Sequence, residues 1–212
     1  MTDSRIELVR SAWNEILAWC REHAPDSADF YRPAADEALR EAQASTQSQW
    51  PEQLIEWLRL HDGARGSAAV IPPGFEPLGV KEILEYRTML TRVAEDAFAT
   101  DEIEAWEAGE AGSFASGFCR SWVPFAANFG GGFLFVDLRP GALHGCVAEY
   151  EHSGGFIRPP IWADIASMLD DVRMALRSGR FYSPGYVFRA VAPTVEDRSL
   201  RWPDAPATGE GR

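Results

Sequence analysis

With 212 residues, 46% of them hydrophobic and eight of them tryptophan, the chain can bury a sizeable core and fits one domain with a tail better than two domains. Thirty-two acidic residues against 20 basic ones leave a net charge of −12, which removes the cationic neutralisation of phosphates on which nucleic-acid binding relies. No run of about 18 uninterrupted apolar residues occurs, so no membrane partner is expected, and the amphipathic start MTDSRIELVRSAW, lacking an apolar signal region, makes the cytoplasm the expected location.

Cys20, Cys119 and Cys146 are odd in number and form no C-x-x-C pair. That spacing argues against a disulfide framework and a zinc ribbon, and each thiol, set beside apolar residues, reads as a small buried hydrophobe.

In chain order, Ile6, Val9, Trp13, Ile16, Leu17 and Cys20 recur at steps of three and four, predicting a core-facing helix from Asp3 to about His23 with Asp3 or Ser4 as its cap. The turn-rich APDSADFYRP follows, then a weakly amphipathic second helix from Pro33 to Ala44. Trp50-Pro51 opens a third helix, with Leu54, Ile55, Trp57, Leu58 and Leu60 on a broad apolar face, closed by Asp62-Gly63. A short extended piece ending at Leu78 leads into a fourth helix marked by Val80, Ile83, Leu84, Arg87, Leu90 and Val93. Residues 94–118 are first acidic and then rich in Gly and Ser, predicting a short helix over Glu102–Ala108 and a flexible loop after it.

The stretch WVPFAANFGGGFLFVDLRPGALHG, Trp122 to Gly145, reads as a core strand, a glycine-loosened loop, a second strand and a tight turn. Its glycines stand between two strands and no Lys follows them, so they suit a turn needing positive φ around Gly131 rather than a phosphate cradle. Asp137 ends the strand FLFVD, where an Asx-type hydrogen bond to the following turn is expected. Next come a hairpin-like return over Glu149–Pro160, a closing helix over Ala163–Arg177, and irregular chain from about 180 whose Tyr186, Phe188 and Trp202 can pack on the domain. The division expected is 1–190 as the domain and 191–212 as a partly disordered tail.

The order of these elements resembles the SMI1/KNR4 family, the SUKH superfamily. The matching residues are the P-x-x-L helix at Pro51–Leu54, the Asp62-Gly63 turn, Glu82-Ile83, the strand Trp122, Pro124, Phe125 and Ala126, the apolar strand Phe133–Asp137, the turn Pro140-Gly141, and Gly145, Cys146 and Val147. The resemblance covers roughly residues 50–177 and implies an α+β fold, a mainly antiparallel sheet covered by helices, here with extra helices at the N-terminus. Trp57, Gly63, Trp122, Pro124, Gly131, Asp137 and Gly145 are then structural. It also implies a non-catalytic protein that binds other proteins: an immunity protein neutralising a cognate toxin, such as a basic nuclease, or a related adaptor, with no cofactor.

The acidic stretch around Trp106 offers an aromatic anchor with a charged rim, so Glu102, Glu104, Trp106 and Glu107, with Asp62, are the candidate partner-binding residues. Two other classes stay open. A small hydrolase would use Asp137, His144 and Glu149 around the central hairpin, and a regulatory module would hold a small ligand in a sheet cleft. His23, His61, His144 and His152 lack metal-ligand spacing, and no metal is expected.

Overall fold

Near-continuous apolar runs such as Gly132–Asp137 cannot leave one face of a sheet in water, and the computed structural model, which describes residues 2–151, 155–156, 160–180 and 192–203, buries this sheet on both faces. Five strands follow one another as an antiparallel meander: β1 (Glu76–Pro77), β2 (Trp122–Ala127), β3 (Gly132–Asp137), β4 (Val147–Glu151) and β5 (Gly155–Phe156). The β2–β3 register runs from Trp122 opposite Asp137 to Ala127 opposite Phe133, with an irregularity between Pro124 and Ala126. Pro124 is tolerated in this central strand because β1 covers only Ala126 and Ala127, so its missing N–H leaves no gap in the β1 ladder.

Alternation along the strands splits the core in two. Val123, Phe125, Leu134, Val136 and Val147 join one apolar cluster, and Trp122, Phe133, Phe135, Ala148 and Tyr150 join the other. The larger cluster is covered by α1 (Thr2–His23), α2 (Asp36–Thr46), α3 (Glu52–Leu58) and α6 (Ile165–Ser178). Between the clusters runs α4 (Val80–Ala97), which gives Val80 and Ile83 to the larger and Leu90 and Ala94 to the smaller; α5 (Thr100–Glu107) follows it. This is the α+β architecture that the strand and helix patterns imply, with helices on both sides of an antiparallel sheet.

The N-terminal helix is part of the packing. Trp13 meets Phe30, Trp57 and His61 at ring-centroid distances of 4.9, 5.8 and 4.5 Å. Ion pairs border its seam with α6, from Arg5 to Asp164 and from Glu15 to Arg173 and Arg177.

Several boundaries differ from the sequence expectation. Asp3 and Ser4 lie inside α1 rather than capping it. The second helix begins at Asp36, since the Ala34 N–H donates to the Leu58 carbonyl and holds residues 30–35 extended. Pro51 is the N-cap of α3 and not its first residue, and Gly145 and Cys146 belong to the turn before β4. Beyond α6, residues 194–201 are not irregular: β6 (Thr194–Glu196) and β7 (Ser199–Arg201) form a hairpin. It buries Leu200 and Trp202 in the larger cluster, with Trp202 Nε1 donating to the Ala69 carbonyl at 3.0 Å. Tyr186 and Phe188 lie outside the described residues. No helix among the described residues is long and apolar enough to cross a membrane.

Candidate interaction surface

A strand that ends in Asp followed by an Arg two residues on can fold the two side chains onto each other, and β3 does so. Asp137 and Arg139 have side chains with no exposure, paired at 2.8 Å. Asp137 Oδ1 accepts the Arg139 backbone N–H at 3.0 Å, closing the Asx-type turn, and its Oδ2 accepts the Gly112 N–H at 2.8 Å. The guanidinium of Arg139 donates to the carbonyls of Trp106 at 2.9 Å and Ser113 at 2.8 Å, and lies over the Trp122 ring at 5.2 Å. Burial alone would lower the Arg139 pKa, but the hydrogen bonds and charge of Asp137 outweigh it and raise it. Arg139 therefore stays charged, with its guanidinium bonded to the Asp137 carboxylate and to two loop carbonyls.

Those bonds tie down two loops. The Gly/Ser-rich stretch after α5, expected to be flexible, is fixed at Trp106, Gly112 and Ser113 by this pair, and its Ala111 N–H donates to the Pro140 carbonyl at 2.8 Å. Its Ala115, Phe118 and Cys119 are buried in the smaller cluster. The loop packs against the β3–β4 turn so closely that a Cβ on Gly112 would come within 2.8 Å of Leu143 Cδ1, and one on Gly141 within 3.2 Å of the Glu110 Cβ. Directly above this fixed layer Phe114 is 63% and Leu143 45% exposed. Well-anchored backbone presenting large apolar side chains to solvent is the arrangement of a recognition surface.

The acidic residues flank it. Between positions 81 and 110 stand nine carboxylates and three cationic side chains. Asp101, Glu102, Glu104 and Glu110 are exposed. Glu102 also accepts the Ala99 N–H at 3.1 Å at the start of α5. Glu107 turns inward, where its carboxylate accepts the backbone N–H groups of Arg120 and Ser121 and the Ser121 hydroxyl. Trp106 is half-buried, packed edge-on against Phe98 at 4.9 Å. Thus the anchor is largely used internally, while Glu104 and Glu110 are exposed, Glu110 lying against the β3–β4 turn at Gly141.

Asp62 lies elsewhere, at the N-terminus of α4, where it accepts the Val80 N–H at 2.7 Å. Gly63 has φ +88°, and a Cβ there would fall 2.4 Å from the Gly79 nitrogen, so the turn needs glycine for both conformation and approach. Beside it His61 is buried among Trp13, Phe30 and Trp57, with Nδ1 accepting the Gly63 N–H at 3.1 Å. Burial pushes its pKa down to about 3. Trp57 and Trp122 are both fully buried, one on each side of the sheet. Gly131 takes φ +79° at the β2–β3 tip, and Gly145, at φ +88°, donates its N–H to the Asp137 carbonyl at 2.8 Å.

The hydrolase grouping is not assembled. Asp137 is sealed and spent on Arg139, His144 is exposed with Nδ1 3.1 Å from the Arg139 carbonyl oxygen, and Glu149 pairs across the sheet with Leu134. His144 borders clefts of about 680 and 160 Å³ near the N-termini of α3 and α6, and neither is lined by Asp137 or Glu149. All three cysteines are buried free thiols, with Cys20 and Cys146 pushed up to about 12 by burial. Among the described residues no three His, Cys, Asp or Glu side chains are placed to hold a metal ion, and His152 lies outside them. Arg139 is the residue that the sequence reading missed. Its signal was available in the D-x-R spacing at the end of an apolar strand.

A helix-covered antiparallel meander whose buried charges hold loops in place is the class of protein these elements define. Residues 33–171 match the SMI1 / KNR4 family (SUKH-1), and the chain belongs to that family. No curated protein matches the chain. The matched span runs from the segment before α2 into α6, so α1 and the β6–β7 hairpin lie outside it.

Proposed function

We propose that this protein is a non-catalytic protein-binding domain of the immunity type, which neutralises a cognate toxin by docking a basic surface of that toxin on the shelf formed by α5, the 109–116 loop and the 138–145 turn. The observation that carries the reading is the exposure of Phe114 and Leu143 on loops pinned by the buried Asp137–Arg139 pair, with Glu110 against the same turn and Glu104 exposed on α5. Apolar side chains supply the desolvated centre, and the carboxylates steer a cationic partner and set its orientation. Membership of the SUKH-1 family supports a binding role, and the same surface would serve a regulatory adaptor. The unit is proposed to run past the expected boundary at 190 to Trp202, since the β6–β7 hairpin packs into the larger cluster, and to work in the cytoplasm.

The test is co-expression with any toxin domain found encoded beside this gene, followed by binding kinetics at two salt concentrations. Phe114→Ala and Leu143→Ala should each raise the dissociation rate by about tenfold or more. Glu104→Lys with Glu110→Lys should slow association and flatten its salt dependence. Protection from the toxin with the rates of all three variants unchanged would remove this shelf from the interface. Failure to bind or protect against any neighbouring toxin would remove the immunity role.

A further inference from the structure

The helix α4 spends one face on the core, through Val80, Ile83, Leu90 and Ala94, and leaves the opposite face in solvent. On that outer face Lys81, Glu85, Thr88, Arg92 and Asp96 recur at steps of three and four, forming one stripe along the helix. Met89 stands beside them, 46% exposed, and the least exposed of the four charged side chains, Glu85, is still 63% exposed. A groove of about 650 Å³ follows the stripe and is lined by residues of α4, with Leu84, Met89 and Val93 as its apolar part.

The order of the charges selects the occupant. Lys81 lies 3.7 Å from Glu85 and Arg92 lies 3.8 Å from Asp96, so the signs along the stripe run plus, minus, plus, minus. Read in reverse they run minus, plus, minus, plus. A half-turn about the midpoint between Thr88 and Met89 therefore exchanges Lys81 with Asp96, Glu85 with Arg92 and Leu84 with Val93, and two such helices laid antiparallel set each charge opposite one of the other sign. The carboxylates beside the stripe are engaged within the chain, Glu82 accepting the Gly79 N–H at 2.9 Å and Glu95 pairing with Arg120 at 2.6 Å. With two charges of each sign, the stripe offers no net field to a cationic or an anionic partner, although the chain as a whole carries −12. Its pattern complements itself, which is the requirement of a two-fold contact.

We propose that α4 is the seam of a two-fold symmetric dimer, packed antiparallel against the α4 of a second copy of this chain. Glu85 then pairs with Arg92 of the second copy and Lys81 with its Asp96, which joins the pairs within each chain into two closed rings of four alternating charges. Such a network contributes where isolated surface pairs contribute little. Met89 meets its own image at the two-fold axis, with Leu84 and Val93 at the flanks. A single pair of helices buries less than a standard interface, so the dimer is a weak one. The stripe shares no residue with α5, the 109–116 loop or the 138–145 turn, and the dimer stands or falls separately from toxin binding.

Sedimentation equilibrium of the full chain from about 5 µM to about 500 µM should show the mass rising from 23.5 kDa towards twice that value, with a dimer Kd below about 200 µM. Glu85→Arg sets like charges against each other at both ends of the seam and should weaken the dimer about tenfold or more, and Arg92→Glu should do the same. Mixed in equal amounts, these two variants should associate with each other at least as tightly as the parent does with itself, because each supplies the sign that the other lacks. One chain carrying both substitutions should recover a Kd within about threefold of the parent. Met89→Glu, which places two carboxylates at the axis, should dissociate the dimer, and Phe114→Ala, on the shelf, should leave its Kd within about twofold. A parent that stays monomeric up to about 500 µM, single reversals that leave the Kd unchanged, a mixture of the two that does not associate, or an association lost with Phe114→Ala would each overturn the proposal.

Discussion

The face of the sheet under α1, α2, α3 and α6 is closed mainly by apolar and aromatic side chains, with its ion pairs left at the rim, whereas the smaller face under α4 and α5 buries a complete ion pair. The large face gathers Trp13, Trp50, Trp57 and Phe125 against whole helices. The small face has fewer apolar groups and must also fix two loops, so it uses directional bonds from Arg139 and Asp137 to loop backbone. Contact area holds a helix in place without specifying a loop; hydrogen bonds to particular carbonyls specify the loop and leave its own side chains free to meet a partner. That difference is the reason the interaction surface is proposed on the small face.

Truncation of the large rings should produce the greatest effect and test whether the two faces carry comparable weight. Trp57→Ala and Trp122→Ala should each cost about 3–5 kcal/mol, lowering Tm by roughly 6–20 °C in thermal melts. A variant melting within a degree or two of the parent would place that ring outside the core.

The ion pair separates stability from loop order. Arg139→Met strands a buried carboxylate and should cost about 3 kcal/mol or slightly more. The double variant Asp137→Leu with Arg139→Met should recover much of that loss, yet the Gly112 amide should exchange with solvent at least about tenfold faster than in the parent. Unchanged exchange at Gly112 would mean that contact area alone holds the loop.

A smaller effect distinguishes the polar group buried in the large face. His61 titrates near 3 in the fold and near its ordinary 6.5 when unfolded, so between those values the unfolded state binds the extra proton. Stability should therefore fall as pH drops below about 6.5, by up to about 1.4 kcal/mol per pH unit from this group. His61→Phe, which loses the Gly63 bond and melts lower at pH 7, should show a shallower slope than the parent between pH 5 and 6.5. Parallel slopes in denaturant midpoints would show that His61 is not the group titrating.

Much of this was legible locally. The stripe from Ile6 to Cys20, the Pro51 helix start, the continuous apolar run of β3 and the glycine at the β2–β3 tip each follow from residue chemistry within one element. The expected partner residues fared unevenly, since exposure and engagement depend on what lies across the fold. Glu104 faces solvent, but Glu107 is spent on the start of β2 and Asp62 on the start of α4. The segment 109–118 reads as flexible from its Gly and Ser content because its restraints come from Arg139, 26 positions beyond Ser113.

Sequence by itself determined the type and order of the helices and of the central strands and the acidic character of residues 81–110, because these depend on periodicity and composition over short windows. Only the tertiary structure decided which carboxylates remain free and that Asp137 and Arg139 form a sealed pair. Each of those outcomes is a contact between segments distant in the chain, and burial, which sets the state of a charge or ring, is a property of the assembled layers.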